Sequence, residues 1–269
     1  MNPLNVNNFK PVQLFSELDS YKSFVTPMHD PLYGFVQEMY QFDLSDTLEH
    51  KFFCLPDACT DLIFFINSSQ ADSILLGNFP RADFGPLKNC VYVFGMRFFI
   101  GAYNAFFNIP AHEFIKEAIT PTKEILDADV LGELLGTADT FEERVKVCRG
   151  YLTGKMPEGY TIPAVVRYSV ASILINNGDI RISEMANDMG YSERYIRRMF
   201  NHYIGISPKT LCEIVKFQAA MAQYISNPNI NMEQLAFDNG YYDLAHFYKS
   251  FRGLTGNAPR SLMKKQALI

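Results

Sequence analysis

The rhythm of apolar positions changes near residue 110. Before it, apolar and aromatic residues fall in short runs, Lys51–Leu55, Asp61–Ile66, Cys90–Phe94 and Met96–Ile100, separated by Pro, Gly, Asn and Asp. Runs of this length between turn residues predict short strands, arranged as a sandwich or barrel. Beyond Pro110 the spacing lengthens to that of helices, in Pro110–Ile115, Asp129–Leu135 and Thr140–Leu152. Thr140 and Glu143 in the last of these are spaced as a capping box. Gly154–Pro163 interrupts the pattern with two prolines and two glycines, and every stretch after it predicts helix. The expected fold is therefore α+β in two domains. A sensory or regulatory domain spans 1–155 (strands to about 109, helices over 110–153), a linker spans 156–163, and an all-helical domain spans 164–269.

The helical part contains a repeat. Met185-Ala186, Gly190-Tyr191, Phe200, Gly205 and Pro208 recur as Leu235-Ala236, Gly240-Tyr241, Phe251, Gly256 and Pro259. An apolar-Ala pair, a glycine four residues after the alanine, an aromatic and then a second amphipathic helix describe a helix-turn-helix. The alanine permits close approach of two helices, and the glycine supplies a positive φ where the first helix ends. Between the copies, Ser207–Ser226 reads as one long helix with Ser207 and Pro208 at its start.

In the first copy Ser192 suits the N-cap of the second helix, and Ile196, Met199, Phe200 and Tyr203 form its inward stripe. The complementary stripe is Arg194, Arg197, Arg198 and Asn201. Arginine bonds two acceptors of guanine at once and asparagine does the same to adenine, so this face suits reading in a major groove. A solvated face is the ordinary reading of such charges; its place inside a repeated helix-turn-helix favours DNA. In the second copy Asp243 caps the helix, with Ala245, His246 and Tyr248 as candidate base contacts. Lys249, Arg252, Ser192 and Lys209 are candidate phosphate contacts. His246 equally suits local packing.

Charge agrees with that division. The chain of 269 residues has a net charge of −5, yet residues 164–269 carry twelve basic against eight acidic residues, and residues 1–163 carry twelve against 21. A basic part joined to an acidic part suggests that only the first meets a polyanion. The apolar runs are too short to span a membrane, no export signal is visible, and the five cysteines are scattered, so a cytoplasmic protein with reduced thiols is expected.

Residues Val165 to Lys264 closely resemble the AraC/XylS family of bacterial transcription regulators. The resemblance rests on the Ala186/Gly190 and Ala236/Gly240 pairs, the Phe200–Pro208 stretch, Lys216-Phe217-Gln218-Ala219-Ala220, and the closing Gly240–Phe251 segment. Tyr241, Lys216, Lys249 and Ala258 depart mildly from the family's pattern. The resemblance implies sequence-specific binding of double-stranded DNA at two adjacent major-groove segments. It further implies transcriptional activation with RNA polymerase as partner, a homodimer, and a separate sensory domain. Leu55–Phe64, Gly95–Phe98 and Gly101–Tyr103 resemble the sensory domain of one branch, which implies a cupin-like β-barrel with trailing helices.

Sharper chemistry in the first half meets simpler alternatives. Cys54, Cys59, Cys90 and His50 do not show the paired Cys spacing of a structural zinc site, and no metal or cofactor is expected. Asp57 and Asp61 suit a turn and a strand start better than an acid/base pair. Phe53, Phe64, Phe94 and Phe98 read as core, with an apolar or amphipathic small-molecule effector as the alternative, its carboxylate met by Arg97 or Arg81; otherwise both arginines sit outside or pair with acidic residues such as Asp57 or Asp61. An enzyme targeted to DNA, such as a cysteine alkyl-transfer repair protein, is the competing function. It would need an activated cysteine, and no Cys-His cluster is visible.

Overall fold

The structure is a computed structural model that describes residues 9–44, 53–67, 71–84, 90–107, 109–114, 119–121 and 127–266. His50, Lys51 and Phe52 lie outside the described residues. The first half contains β1 (Lys22–Val25), β2 (Val36–Asp43), β3 (Phe53–Cys54), β4 (Thr60–Ile66), β5 (Ala71–Leu76), β6 (Asp83–Phe84), β7 (Tyr92–Phe98) and β8 (Ile119–Pro121). Six of these form an antiparallel sheet in the order β1-β2-β7-β4-β5-β8, and β3 pairs with β6.

Both faces of this sheet are covered, which is why its central strand β4 is buried at every position and reads as an unbroken apolar run. Side chains alternate between the faces. Leu62, Phe64 and Ile66 of β4, with Phe94, Met96 and Phe98 of β7, pack against α2 (Ala128–Thr137) and α3 (Phe141–Lys155) through Leu131, Leu135, Phe141, Val145 and Cys148. Ile63, Phe65 and Val93 point the other way and pack with Tyr40 and Phe42 beneath Phe15, Leu18 and Cys54. Among the described residues β1 and β8 are the two edges of the six-stranded sheet. Of the sequence expectations, the strands followed by helices are present, and the strands pair antiparallel; a closed ring of strands is not found among the described residues. β8 also falls within 110–153, where helices alone were expected.

Helix α3 starts with the capping box: Thr140 Oγ1 accepts from the Glu143 N–H, and Glu143 accepts from the Thr140 N–H at 3.1 Å. It ends at Lys155, and α4 (Ala164–Ile175) begins after the Pro/Gly-rich stretch. Then follow α5 (Ile182–Asp188), α6 (Glu193–Tyr203), α7 (Pro208–Ser226), α8 (Met232–Asp238), α9 (Leu244–Thr255) and α10 (Pro259–Gln266); the short α1 (Ala111–Phe114) lies earlier. Phe200, Phe217, Phe247 and Phe251 are fully buried at the centre of this half, each contributing about 1.5–3 kcal/mol by leaving water. The same core takes in Leu14, Leu55, Ala58, Cys59 and Ile100 from the first half. The two halves are packed together over a shared apolar surface.

Candidate nucleic-acid interface

Each helix-turn-helix is built as its residue pattern requires. Ala186 and Ala236 are buried at the crossing of the paired helices, and Gly190 and Gly240 take φ values of +70° and +71° at the turn. A left-handed backbone at that point favours glycine, because a Cβ would crowd the carbonyl. Ser192 Oγ accepts the Tyr195 N–H and starts α6; Asp243 accepts the His246 N–H at 2.7 Å and starts α9. Ser207 and Pro208 start α7, which runs for 19 residues between the copies.

On α6, Ile196 and Phe200 are buried while Arg194, Arg197, Arg198 and Asn201 are all exposed. The predicted reading stripe is therefore brought together on one solvent-facing side of a capped helix. Two neighbours not singled out from the sequence hold it. Arg197 pairs with Glu193 one turn back at 2.7 Å, with the Arg197 side chain 65% exposed. The Arg198 guanidinium lies 5.2 Å from the Tyr195 ring, which in turn stacks on Tyr191 at 5.1 Å. An i,i+4 pair at the surface is worth only about 0.3–0.5 kcal/mol, so Arg197 is restrained without being locked. The i,i+4 spacing was the available signal for Glu193.

On α9, Ala245, His246, Lys249 and Arg252 are exposed, and Tyr248 is half-buried against the core. His246 is engaged locally: its Nδ1 accepts the Tyr242 N–H, and its ring meets Tyr241 edge-on. Ser192 and Lys209 are exposed at the first turns of α6 and α7. Lys216 turns inward, donating to Asp179 and to the Gly240 carbonyl at 2.8 Å each, and so ties the approach to α5 to the turn of the second copy.

The effector positions suggested for the first half do not form one site. Phe64, Phe94 and Phe98 lie in the helix-covered core of the sheet, Phe53 packs toward the other half of the molecule, and Arg97 points to the opposite sheet face. Strand alternation separates Arg97 from Phe94 and Phe98 on the same strand. Its charge is already met. Glu38, Arg97 and Asp61 stand abreast on β2, β7 and β4. Arg97 donates from Nε and Nη2 to the two oxygens of Asp61 at 3.1 and 2.9 Å and from Nη1 to Glu38 at 3.1 Å; Asp57 lies 3.5 Å away. Burial opposes the guanidinium charge, but Asp61, Asp57 and Glu38 more than offset that and keep it protonated. Tyr40 donates to Asp61 and lies across Gly95, where a Cβ would strike its ring. Arg81 is exposed.

Four of the five cysteines, Cys54, Cys59, Cys148 and Cys212, are buried, and none of the five is in a disulfide. Burial pushes the Cys59 thiol well above its ordinary range, with Asp57 adding to the effect, and burial pushes Cys90 up to about 11. Thiols so raised are poor nucleophiles. Among the described residues no group of His, Cys, Asp and Glu has the arrangement of a metal site, and no helix is long and apolar enough to cross a membrane.

Residues 185–265 match the family profile described as a helix-turn-helix domain, and residues 25–120 match a domain of unknown function, DUF6597. No curated protein sequence matches the chain. Among solved structures it is similar to that of ToxT from Vibrio cholerae O395, at 11% identity and a TM-score of 0.42, covering 93% of this chain and 99% of that one. It is also similar to ToxT from the same source bound to (E)-4-(8-methylnaphthalen-1-yl)but-3-enoic acid, at 13% identity and a TM-score of 0.44, covering 92% and 100%. The chain thus carries a helix-turn-helix domain over residues 185–265.

Proposed function

We propose that the chain is a cytoplasmic, sequence-specific transcription regulator that reads two adjacent major-groove segments of duplex DNA, one with α6 and one with α9. The observation that carries this reading is the exposed stripe Arg194, Arg197, Arg198 and Asn201 on a capped helix whose opposite side is buried in a helix-turn-helix core. The three arginines and the asparagine supply bidentate donors for base edges. On α9 the exposed Lys249 and Arg252 suit phosphate, and the smaller Ala245 leaves room for an apolar contact with a thymine methyl. The first helix-turn-helix accordingly carries most of the sequence discrimination, and the second adds affinity. Lys209 and Ser192, at first turns where helix N-termini favour anions, suit backbone phosphates of the same segment.

The test is selection from a random pool of duplex DNA with the full chain, followed by a salt titration on the selected duplex and on random DNA. Enrichment of a bipartite sequence, with affinity for both duplexes falling steeply as salt rises, is the expected result. A pool that gains no sequence preference, or binding indifferent to salt, would overturn the reading.

A further inference from the structure

The last carbonyls of a helix have no partner within it and must be satisfied from outside. At the end of α6 the partners come from the first half of the chain. Asn104 Nδ2 donates to the Tyr203 carbonyl at 2.9 Å, and Asn78 Nδ2 donates to the Ile204 carbonyl. Asn104 is itself braced, donating to the Gly101 carbonyl at 3.1 Å. Gly101 has φ +77°, and a Cβ there would stand 3.3 Å from the Tyr203 oxygen, so the chain passes close against the helix end.

The same segment reaches the other reading helix. Four residues after Asn78, the Ala82 N–H donates to the Leu254 carbonyl at 2.6 Å, in the last turn of α9. Four residues of chain extend at most about 14 Å, and Pro80 stiffens this stretch. Asn78 is only 6% exposed, so its donor cannot turn to solvent instead. A single short connection between β5 and β6 thus holds the C-terminal ends of both helices, which otherwise communicate through α7 and the shared core.

We propose that Asn78, Asn104 and the Ala82 N–H form a clamp that sets the separation and relative rotation of α6 and α9, so that the first half of the chain determines the spacing of the two DNA elements it reads. The inference rests on the bipartite reading above. The clamp residues are positioning residues: they touch helix ends, and the DNA-facing stripe on α6 remains open beside them. Inserting or deleting one base pair moves one element by about 3.4 Å and about 35° relative to the other, beyond what a bidentate hydrogen bond tolerates. A rigid pair of reading helices therefore discriminates spacing sharply, and a loosened pair does not.

The experiment compares the full chain with its Asn104→Ala, Asn78→Ala/Asn104→Ala and Asn78→Asp variants on the selected duplex and on duplexes with one base pair added or removed between the elements. Asn78→Asp keeps the side-chain shape while setting an acceptor against the Ile204 carbonyl. The wild-type chain is expected to lose about tenfold in affinity per one-base-pair change, and the double variant and Asn78→Asp about threefold or less. Asn104→Ala, whose residue is only half-buried, gives an intermediate ratio in a fold that thermal unfolding shows to be intact. A merely structural role would lower stability and weaken all duplexes alike, leaving the ratio between spacings unchanged. Unchanged ratios in all three variants overturn the clamp while the bipartite reading stands. A wild-type chain indifferent to spacing overturns both.

Discussion

Replacing Arg97 by methionine removes the cation from a buried group of carboxylates without creating a large void. In the native protein Arg97 is 2% exposed and contacts Asp61 through two hydrogen bonds, Glu38 through one, and Asp57 at 3.5 Å. Removing one partner of a buried pair costs about 3–5 kcal/mol, because it leaves charge without compensation. For a chain of this size that corresponds to a fall in Tm of roughly 6–20 °C. The pH dependence has a definite sign. Burial pushes the Asp57 carboxyl up against the opposing pull of Arg97, and without Arg97 this rise must grow. A carboxyl with a raised folded pKa contributes stability fully below its unfolded value, near 4, and that contribution is lost as pH rises through the folded value. The variant should therefore be most deficient at neutral pH and approach the wild-type protein as pH falls toward about 4. Urea unfolding of both proteins at several pH values measures this directly. A variant within about 1 kcal/mol of wild type at neutral pH would instead mean that the carboxylates need no cation.

Three further outcomes are expected. Thr140→Ala removes the side-chain half of the capping box on α3 and should cost about 1 kcal/mol in chemical unfolding; no change would show that α3 is held by packing alone. Thiol titration of the folded protein should find Cys54, Cys59, Cys148 and Cys212 slow to react, because they are buried and the thiols of Cys59, Cys148 and Cys212 are raised by burial; rapid modification of any of these would revive an alkyl-transfer function. Lys249→Ala should weaken binding to selected and random DNA by similar factors and lower the salt slope by about one, whereas a loss confined to the selected sequence would make Lys249 a base-reading residue.

The helical half was legible because its signals are local. Ser192, Asp243 and Ser207 cap the helices that follow them, Gly190 and Gly240 sit at turns that need a positive φ, and the inward stripe on α6 is recorded in the spacing of Ile196 and Phe200. The first half was legible only as strands followed by helices. Which face of β7 meets α2 and α3, and that Arg97 stands abreast of Asp61 and Glu38, depend on register between strands far apart in sequence. A single sequence carries no mark of that register, so it left open whether Arg97 meets a ligand or pairs with Asp57 or Asp61; in the fold it is paired. β8 has three residues, too few to show a period. Asn78 and Asn104 are not singled out by the sequence at all, since their partners Ile204 and Tyr203 lie 126 and 99 residues further along the chain.

Base reading by the exposed stripe on α6 is tested by the affinity of Arg194→Ala and Arg197→Ala for the selected duplex, for duplexes altered one base pair at a time, and for random DNA. Each variant is expected to lose about 1–3 kcal/mol on the selected sequence. Each also becomes indifferent to the base at one position and barely changes on random DNA. Equal losses on selected and random DNA, with the base preference intact at every position, would contradict base reading.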